Sequence, residues 1–220
     1  MVERIIVGNF NTNTYIYSLD RKNCLLIDPG TDVAVIETKL RRVNMKPRGI
    51  ALTHGHLDHI AGSGQIIKIY TDEERNVSLA IHKNDLPFLG AESREKHEEM
   101  FRELNEGDEG LALFYEMWTP LPEPDLLFEE EDFLLDSSLQ VIHVPGHTEG
   151  SVCFYSEKEK IIFSGDTLMY NEIGQYQGDD RKRFISMLEK KIFTLPGDTR
   201  VFPGHGPLTT LERIQKEMYR

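Results

Sequence analysis

Residues 53–62 read THGHLDHIAG, a stretch that places three of the chain's eight histidines and one aspartate within six positions. Imidazole and carboxylate groups are common protein ligands of divalent metal ions. The apolar segment GIALT (49–53) runs directly into the stretch and is typical of a short buried strand. The sequence therefore predicts a metal-binding loop at the end of a β-strand, where a rigid sheet can hold the ligands in place.

Three later motifs also follow short β-branched or aromatic segments. His147 lies in VPGHTEGS, Asp166 in FSGDTL and His205 in VFPGHG. With the first loop they supply seven candidate ligands: His54, His56, Asp58, His59, His147, Asp166 and His205. Seven ligands are too many for one tetrahedral ion but suit two ions that share one carboxylate. Because the set contains no thiolate, it favours zinc, iron or manganese in a reactive site over a structural Cys-rich zinc site.

The composition is typical of one soluble folded unit. The chain has 220 residues, 39% of them hydrophobic, which is enough for a single domain spanning 1–220. Its net charge of −12 at pH 7 opposes binding to phosphate backbones, so we expect no nucleic-acid partner. No apolar run is long enough to span a bilayer and the N-terminus lacks signal-peptide features, so we expect no membrane association and a cytoplasmic location. Cys24 and Cys153 lie in apolar stretches and are expected to be reduced and buried.

Hydrophobic periodicity predicts two rounds of strands and helices. Asp32 is expected to cap the first helix, whose buried face is predicted to carry Val33, Ile36, Leu40 and Val43. The predicted strands are 2–8, 12–19, 24–29, 49–53, 77–82, 139–145, 151–156, 161–166 and 200–203, and the predicted helices are 33–43, about 180–193 and about 209 to the end.

Residues 84–132 interrupt this alternation and are predicted to form a helical or irregular insertion. The segment combines several prolines and acidic residues with aromatic residues that include Phe88, Phe101, Phe114, Tyr115 and Trp118, which are too many for a solvated linker. It is either a cap over a substrate pocket, with Phe88, Tyr115 and Trp118 as candidate pocket residues, or a decoration that covers a sheet edge. His97 lies in a charged helical stretch of this segment and is expected to be solvated. His82 and His143 follow strands and are expected to lack ligand partners.

The motifs together resemble the metallo-β-lactamase superfamily, whose signature is H-x-H-x-D-H followed by separate His, Asp and His motifs. Within it the chain most resembles the glyoxalase II-like (hydroxyacylglutathione hydrolase-like) branch. The resemblance rests on NTYIY, LLIDPG, THGHLDHIAG, VPGHTEGSVCFY, FSGDTL, IG at 173–174 and VFPGHGPLTT. It implies an α/β fold, an αββα sandwich of two mixed sheets flanked by helices, with the metals at one edge of the sheets.

By position, the resemblance assigns His54, His56 and His147 to one ion and Asp58, His59 and His205 to the other. Asp166 bridges the two ions, and Asp58 also orients the attacking group. Asp28, in LLIDPG, supports the ligands from behind them. The implied cofactor is a pair of divalent ions, with zinc expected first and iron or manganese as alternatives.

The implied reaction is hydrolysis of a small-molecule thioester or ester by a hydroxide held between the two ions. A thiolate leaves without protonation, so the sequence need not supply a separate general acid. The alternatives are a persulfide dioxygenase-like oxidoreductase with one iron, a lactonase or β-lactamase-like hydrolase, and a non-catalytic metal-binding module. The oligomeric state stays open.

The chain departs from glyoxalase II at two places that bear on the substrate. It ends soon after VFPGHGPLTT, so the C-terminal helical module that binds glutathione is expected to be missing. Gln175 stands where the family has an arginine after IG. The acidic insertion is expected to disfavour highly anionic tails such as coenzyme A.

Overall fold

Two mixed β-sheets form the centre of the molecule. The computed structural model describes residues 1–73, 76–104, 108–170, 173–174 and 181–218, and over these ranges the chain forms eleven strands and seven α-helices. The strands are β1 (Val2–Val7), β2 (Thr12–Ser18), β3 (Asn23–Ile27), β4 (Lys46–Ala51), β5 (Ser78–His82), β6 (Leu126–Phe128), β7 (Gln140–His143), β8 (Val152–Ser156), β9 (Ile161–Gly165), β10 (Arg200–Pro203) and β11 (Thr209–Thr210). The helices are α1 (Val33–Arg42), α2 (Leu57–Ile60), α3 (Ser63–Tyr70), α4 (Ser93–Leu104), α5 (Asp108–Met117), α6 (Arg181–Lys191) and α7 (Leu211–Met218), and a 3-10 helix spans Lys83–Phe88.

The first sheet has the strand order β1-β2-β3-β4-β5-β6 and the second has the order β11-β10-β9-β8-β7. Short connections join β1, β2 and β3, which pair antiparallel. Helical connections separate β3 from β4 and β4 from β5, and these pairs are parallel, as such crossovers require. The predicted αββα sandwich of two mixed sheets is confirmed.

Three apolar clusters separate the four layers. The first lies between the first sheet and the helices α1, α3, α4 and α5, and the third lies between the second sheet and α6 and α7. The middle cluster joins the two sheets and is rich in aromatic residues. Phe163 on β9 lies within it, with its ring centroid 5.2 Å from that of Tyr15 and 5.1 Å from that of Phe202. This packing fixes the ends of β2, β9 and β10 relative to one another.

The candidate ligand loops leave the sheets at one edge. Asp28 directly follows β3, Asp166 directly follows β9, and His205 comes two residues after β10. The two sheets are joined here by backbone hydrogen bonds from Val152 N–H to the carbonyl of Thr53 (2.9 Å) and from Asn13 N–H to the carbonyl of Gly204 (2.7 Å). Loops that are distant in sequence are therefore held together by regular backbone pairing.

Residues 84–132 pack against the first sheet. Helices α4 and α5 contribute Phe101, Phe114 and Met117 to the first apolar cluster. Near its end the segment forms β6, which pairs parallel with β5 as the edge strand of the first sheet. The sequence also gave no indication of α2 and α3, which directly follow the HGHLDH motif.

Two local predictions differ from the structure. The prediction of a solvated His97 is wrong: the side chain is 1% exposed, because α4 turns this position toward the first apolar cluster. Asp32 precedes α1, but its side chain makes no capping hydrogen bond and accepts instead from the N–H of Gly8 at 2.9 Å. Cys24 and Cys153 are free and buried, as predicted. Among the described residues, no helix is both long and apolar enough to cross a membrane.

Candidate metal centre

The first group of candidate ligands consists of His54, His56 and His147. Their side-chain donor atoms lie within 4.8 Å of one another. Nδ1 of His56 and Nε2 of His147 are 2.9 Å apart, and the ring centroids of His54 and His147 are 4.8 Å apart. Three imidazoles from two loops therefore converge on one small volume.

The second group consists of Asp58, His59 and His205. The Nε2 atoms of His59 and His205 are 3.2 Å apart, and each lies 3.3 Å from Oδ2 of Asp58. His59 is fully buried, whereas the side chain of His205 is 26% exposed. The group therefore opens to solvent on the His205 side.

Asp166 lies between the two groups. Its Oδ2 is 3.5 Å from Nε2 of His147, a member of the first group, and 3.4 Å from Nε2 of His205, a member of the second. Its Oδ1 is 3.4 Å from Nε2 of His59. One carboxylate thus contacts both groups.

The distances between donor atoms fit divalent metal ions. Two imidazole nitrogens that each lie about 2.05 Å from a tetrahedral zinc ion are about 3.4 Å apart. The nitrogen–nitrogen and nitrogen–oxygen distances given above range from 2.9 to 3.5 Å. Within the described part of the chain, Nε2 of His54 is buried and has no hydrogen-bond partner, which is unfavourable unless it has a ligand. These His and Asp groups are therefore able to bind metal ions.

Asp28 determines which nitrogen of two of these histidines carries the proton. The Thr53 hydroxyl donates to Oδ2 of Asp28 at 2.6 Å, so its oxygen accepts from Nδ1 of His54, 3.0 Å away. Nδ1 of His59 donates to the same carboxylate oxygen at 3.0 Å. Both imidazoles therefore keep Nδ1–H and direct Nε2 toward the centre.

Asp28 is itself a poor candidate ligand, although it lies near His54 and His59. Its Oδ1 accepts from the N–H of Thr53 at 2.7 Å and its Oδ2 accepts two hydrogen bonds, so both oxygens are already occupied. It is 2% exposed and has a left-handed backbone (φ 50°), a conformation that Asp and Asn tolerate better than most residues. Its contacts therefore hold Thr53 and the His59 ring in place.

His54 and His56 are neutral at neutral pH. Burial, followed by the neighbouring imidazoles, lowers the pKa of His54 well below its usual range. Burial and the nearby His147 lower the pKa of His56 to about 3. Neutral imidazoles have the lone pairs that a cation needs, so protons do not compete for these two side chains near pH 7.

The second group is charged. Burial opposes protonation of His59 and His205, but the carboxylates of Asp58 and Asp166 outweigh it and raise these pKa values to about 9 and about 10. Burial likewise disfavours ionised carboxylates, yet the same imidazoles hold the pKa values of Asp58 and Asp166 below their usual range. A metal ion bound here would replace protons on the histidines.

Two supporting contacts, made by Thr12 and Phe10, have no signal in the sequence. The Thr12 hydroxyl donates to Oδ2 of Asp58 at 2.7 Å, and Nδ1 of His205 lies 3.1 Å from the Phe10 carbonyl oxygen. Gly204 is needed beside the centre, because a Cβ there would lie 2.1 Å from Oδ1 of Asp166. Thr12 and Phe10 are far in sequence from the residues that they support, so spacing alone could not identify them.

Phe88 is the candidate pocket residue that lies beside the ligands. Its ring centroid is 6.1 Å from that of His56. Trp118 packs 5.8 Å from His97, which in turn packs 5.5 Å from Phe88. The ring of Tyr115 contacts that of Phe114, and its side chain is 56% exposed. In the described structure, Trp118 therefore reaches the site only through other rings.

Helix α4 contacts both sides of the centre. Nε2–H of His97 donates to the Phe88 carbonyl oxygen at 2.9 Å, on the side of the three-histidine group. One helical turn further, the ring of Phe101 packs 6.2 Å from that of Phe10, whose carbonyl group lies beside His205. The expected strand-end histidines His82 and His143 stack on each other 3.9 Å apart and are not among the groups that converge here. Gln175 lies outside the described residues.

A sandwich of two mixed sheets with His and Asp groups able to bind metal ions at one edge is the arrangement typical of metallo-hydrolases. The chain belongs to the metallo-β-lactamase superfamily, whose sequence pattern matches residues 7–205.

Three similar proteins indicate the range of this family. Hydroxyacylglutathione hydrolase GloC of Haemophilus influenzae is 29% identical over 213 residues, which cover 96% of this chain and 92% of GloC. The crystal structure of the B3 metallo-β-lactamase BLEG-1 has a TM-score of 0.80 at 29% identity, covering 98% of this chain and 97% of that one. TTHA1623, crystallised in a di-iron-bound form, has a TM-score of 0.75 at 28% identity, covering 98% of both chains.

Proposed function

We propose that the protein hydrolyses small-molecule thioesters or esters with two divalent metal ions. The observation that carries the proposal is the position of Asp166 between the two ligand groups, within 3.5 Å of a histidine of each. His54, His56 and His147 would hold one ion, and Asp58, His59 and His205 the other. Bound ions would supply a water that is deprotonated near neutral pH and would polarise the scissile carbonyl group.

The residues around the ligands support this chemistry by fixing orientation and excluding water. Thr12 holds the Asp58 carboxylate, and the low pKa of Asp58 keeps it ionised, so it can orient the attacking water. The described site shows no acid dedicated to a leaving amine, which favours thioesters, since a thiolate departs unprotonated. Phe88 supplies an apolar wall beside His56, which excludes water from the substrate.

The similar proteins support the reaction class and leave two choices for experiment. GloC is named for a glutathione thioester, which favours thioesters as substrates. The likeness to BLEG-1 makes β-lactam amides the second candidate substrate class. The di-iron form of TTHA1623 supports a two-ion site and makes iron as well as zinc a candidate metal.

The test combines metal quantification with a substrate panel. The metal-loaded protein is assayed with S-lactoylglutathione, an N-acetylcysteamine thioester, an aryl ester, a lactone and a chromogenic β-lactam, and oxygen uptake is measured with a persulfide. We expect two ions per chain and the highest kcat/KM on a thioester. Faster cleavage of the β-lactam would assign the second class, and one iron per chain with oxygen uptake would overturn the hydrolase proposal.

Matched histidine variants show whether the activity belongs to this site. His205→Gln removes a ligand of the second group and is expected to lose one ion and most of the activity. His143→Gln changes a histidine outside both groups and is expected to keep two ions and the parent kcat/KM. Equal activity of the two variants would mean that the hydrolysis does not depend on the second group.

A further inference from the structure

A second carboxylate, besides Asp28, is buried next to the centre and has no role in the chemistry above. Asp85 lies in the 3-10 helix Lys83–Phe88 and is completely buried. Its Oδ2 accepts hydrogen bonds from the N–H of Gly55 (2.9 Å) and the hydroxyl of Thr148 (2.7 Å), and its Oδ1 accepts from the N–H of Gly150 (2.7 Å). Burial of a carboxylate raises its pKa, and these three donors oppose that rise.

The three donors come from the two loops that carry the first ligand group. Gly55 lies between His54 and His56, and Thr148 directly follows His147. Asp85 therefore joins the loop of two ligands to the loop of the third, across a sequence separation of more than 90 residues. The hydrogen bonds fix the backbone on both sides and so set the distance between the loops.

Both loops are built closely around the 3-10 helix. A Cβ at Gly150 would lie 2.5 Å from Cγ of Asp85, and a Cβ at Gly55 would lie 2.3 Å from the Phe88 ring. Neither position can therefore take a side chain while Asp85 and Phe88 stay where they are. Because glycine occupies both positions, the Asp85 carboxylate can come close enough to hydrogen-bond directly to both loops.

The second ligand group has different supports. The Thr12 hydroxyl holds Asp58, and the Phe10 carbonyl oxygen lies beside His205. Asp28 supports one histidine of each group, His54 and His59. Asp85 differs from Asp28 because its donors adjoin His54, His56 and His147, whereas Asp58 and His59 lie further along the same stretch, on α2.

We infer that Asp85 is a positioning residue for the three-histidine subsite, so that its loss releases the ion held by His54, His56 and His147 and leaves the other ion bound. This inference rests on the proposed two-ion site. Asparagine cannot replace Asp85, because its one oxygen can face only one side of the network. Its NH₂ group would then face a donor, either Gly150 N–H or the Gly55 and Thr148 pair.

The experiment measures metal binding at equilibrium with a competing chelator, with no use of activity. We expect the parent to bind two ions, and Asp85→Asn to weaken one by about 10- to 100-fold, the usual effect of losing a ligand's support. Asp32→Asn is the matched control, because Asp32 is an exposed carboxylate that accepts from one backbone N–H, and it should bind like the parent.

The double variant Asp85→Asn/His205→Gln identifies the subsite affected. If the inference holds, each single change leaves one tightly bound ion and the double variant leaves none. Retention of one tight ion in the double variant would mean that both changes act on the same subsite, and two tight ions in Asp85→Asn would also overturn the inference. A parent with one ion would instead overturn the two-ion proposal, a distinct result.

A milder variant covers the case in which Asp85→Asn does not fold. Thr148→Val removes one of the three hydrogen bonds and is expected to weaken one ion by about 2- to 12-fold, the equivalent of one hydrogen bond. The absorption spectrum of the cobalt(II)-loaded variant should change only in the bands lost on His56→Gln. Equal weakening of both ions, or no weakening in a folded variant, would contradict the inference.

Discussion

Replacing Asp28 tests whether the supporting carboxylate behind the ligands sets metal affinity at both subsites. Asp28→Ala removes the acceptor for the Thr53 N–H, the Thr53 hydroxyl and Nδ1–H of His59. The hydroxyl can rotate to another acceptor, but the two N–H groups stay buried without one. The change also places alanine in a left-handed conformation.

The magnitude follows from these losses. A buried donor left without an acceptor costs about 1–3 kcal/mol, and a left-handed alanine costs about 1 kcal/mol more than an Asp or Asn there. We therefore expect the free energy of unfolding of the metal-free protein to fall by about 3 kcal/mol or more. Because His54 and His59 belong to different groups, both ions should bind about 10- to 100-fold more weakly.

The assay pairs urea unfolding of the metal-free protein with chelator competition for each ion. Asp28→Asn is the matched control: it keeps an oxygen acceptor and tolerates the left-handed backbone, so its loss of stability should be about half that of alanine. A folded Asp28→Ala variant that kept both affinities within threefold of the parent would refute the orienting role. Loss of one ion alone would show that the support is not shared.

Three further predictions concern other residues. Asp166→Ala should lose both ions, since its carboxylate contacts both groups, and two ions retained at parental affinity would exclude a bridging role. Burial lowers the pKa of His82 to about 4, so the folded chain takes up this proton less readily than the unfolded chain, and stability should fall by at most about 3 kcal/mol as the pH drops from 6.5 to 4. In His82→Phe, the difference between the free energies of unfolding in urea at pH 7.5 and pH 5 should be smaller than in the parent. An unchanged difference would mean that His82 is not the source of this pH dependence. Phe88→Leu should raise KM for the best thioester with both ions still bound, whereas Tyr115→Leu, on the exposed face of α5, should not; equal KM values would mean that Phe88 is not part of the pocket.

Much of the fold could be predicted because its strands are short, apolar and end in recognisable motifs. Helix α1 buries Val33, Ile36 and Leu40, as the spacing predicted, whereas Val43 follows the last residue of the helix and is only partly buried. The structure of residues 84–132 was harder to predict, because the sequence pattern reports local structure whereas the segment packs against residues that are distant in sequence. Leu126–Phe128 forms a strand of three apolar residues, two of them exposed, so no alternation of apolar and polar residues marks it in the sequence. His97 is buried because Phe101 lies on the same face, one turn away, within a helix whose composition is charged.

The candidate ligands were accessible from the sequence, whereas most of their supports were not. His and Asp at strand ends are conspicuous, and the parallel pairing of β9 with β10 brings two of their loops together. Asp85 gave no such signal, since a single aspartate in a polar segment has no distinctive spacing. Its role exists only because the 3-10 helix places it between two loops. A supporting residue contacts a metal-binding side chain through space, so the two residues need have no fixed spacing in the sequence.

Helix α4 contacts residues that lie beside both ligand groups. His97 and Phe101, one turn apart, contact Phe88 and Phe10, which adjoin different ligand groups. A small translation of the helix along its axis would therefore shift Phe88 and Phe10 in the same direction. Phe88 shares its 3-10 helix with Asp85, and the Phe10 carbonyl oxygen lies beside His205, so the movement would reach the supports of both ligand groups. Substitutions on α4 can thus affect both groups, although α4 itself carries none of the proposed ligands.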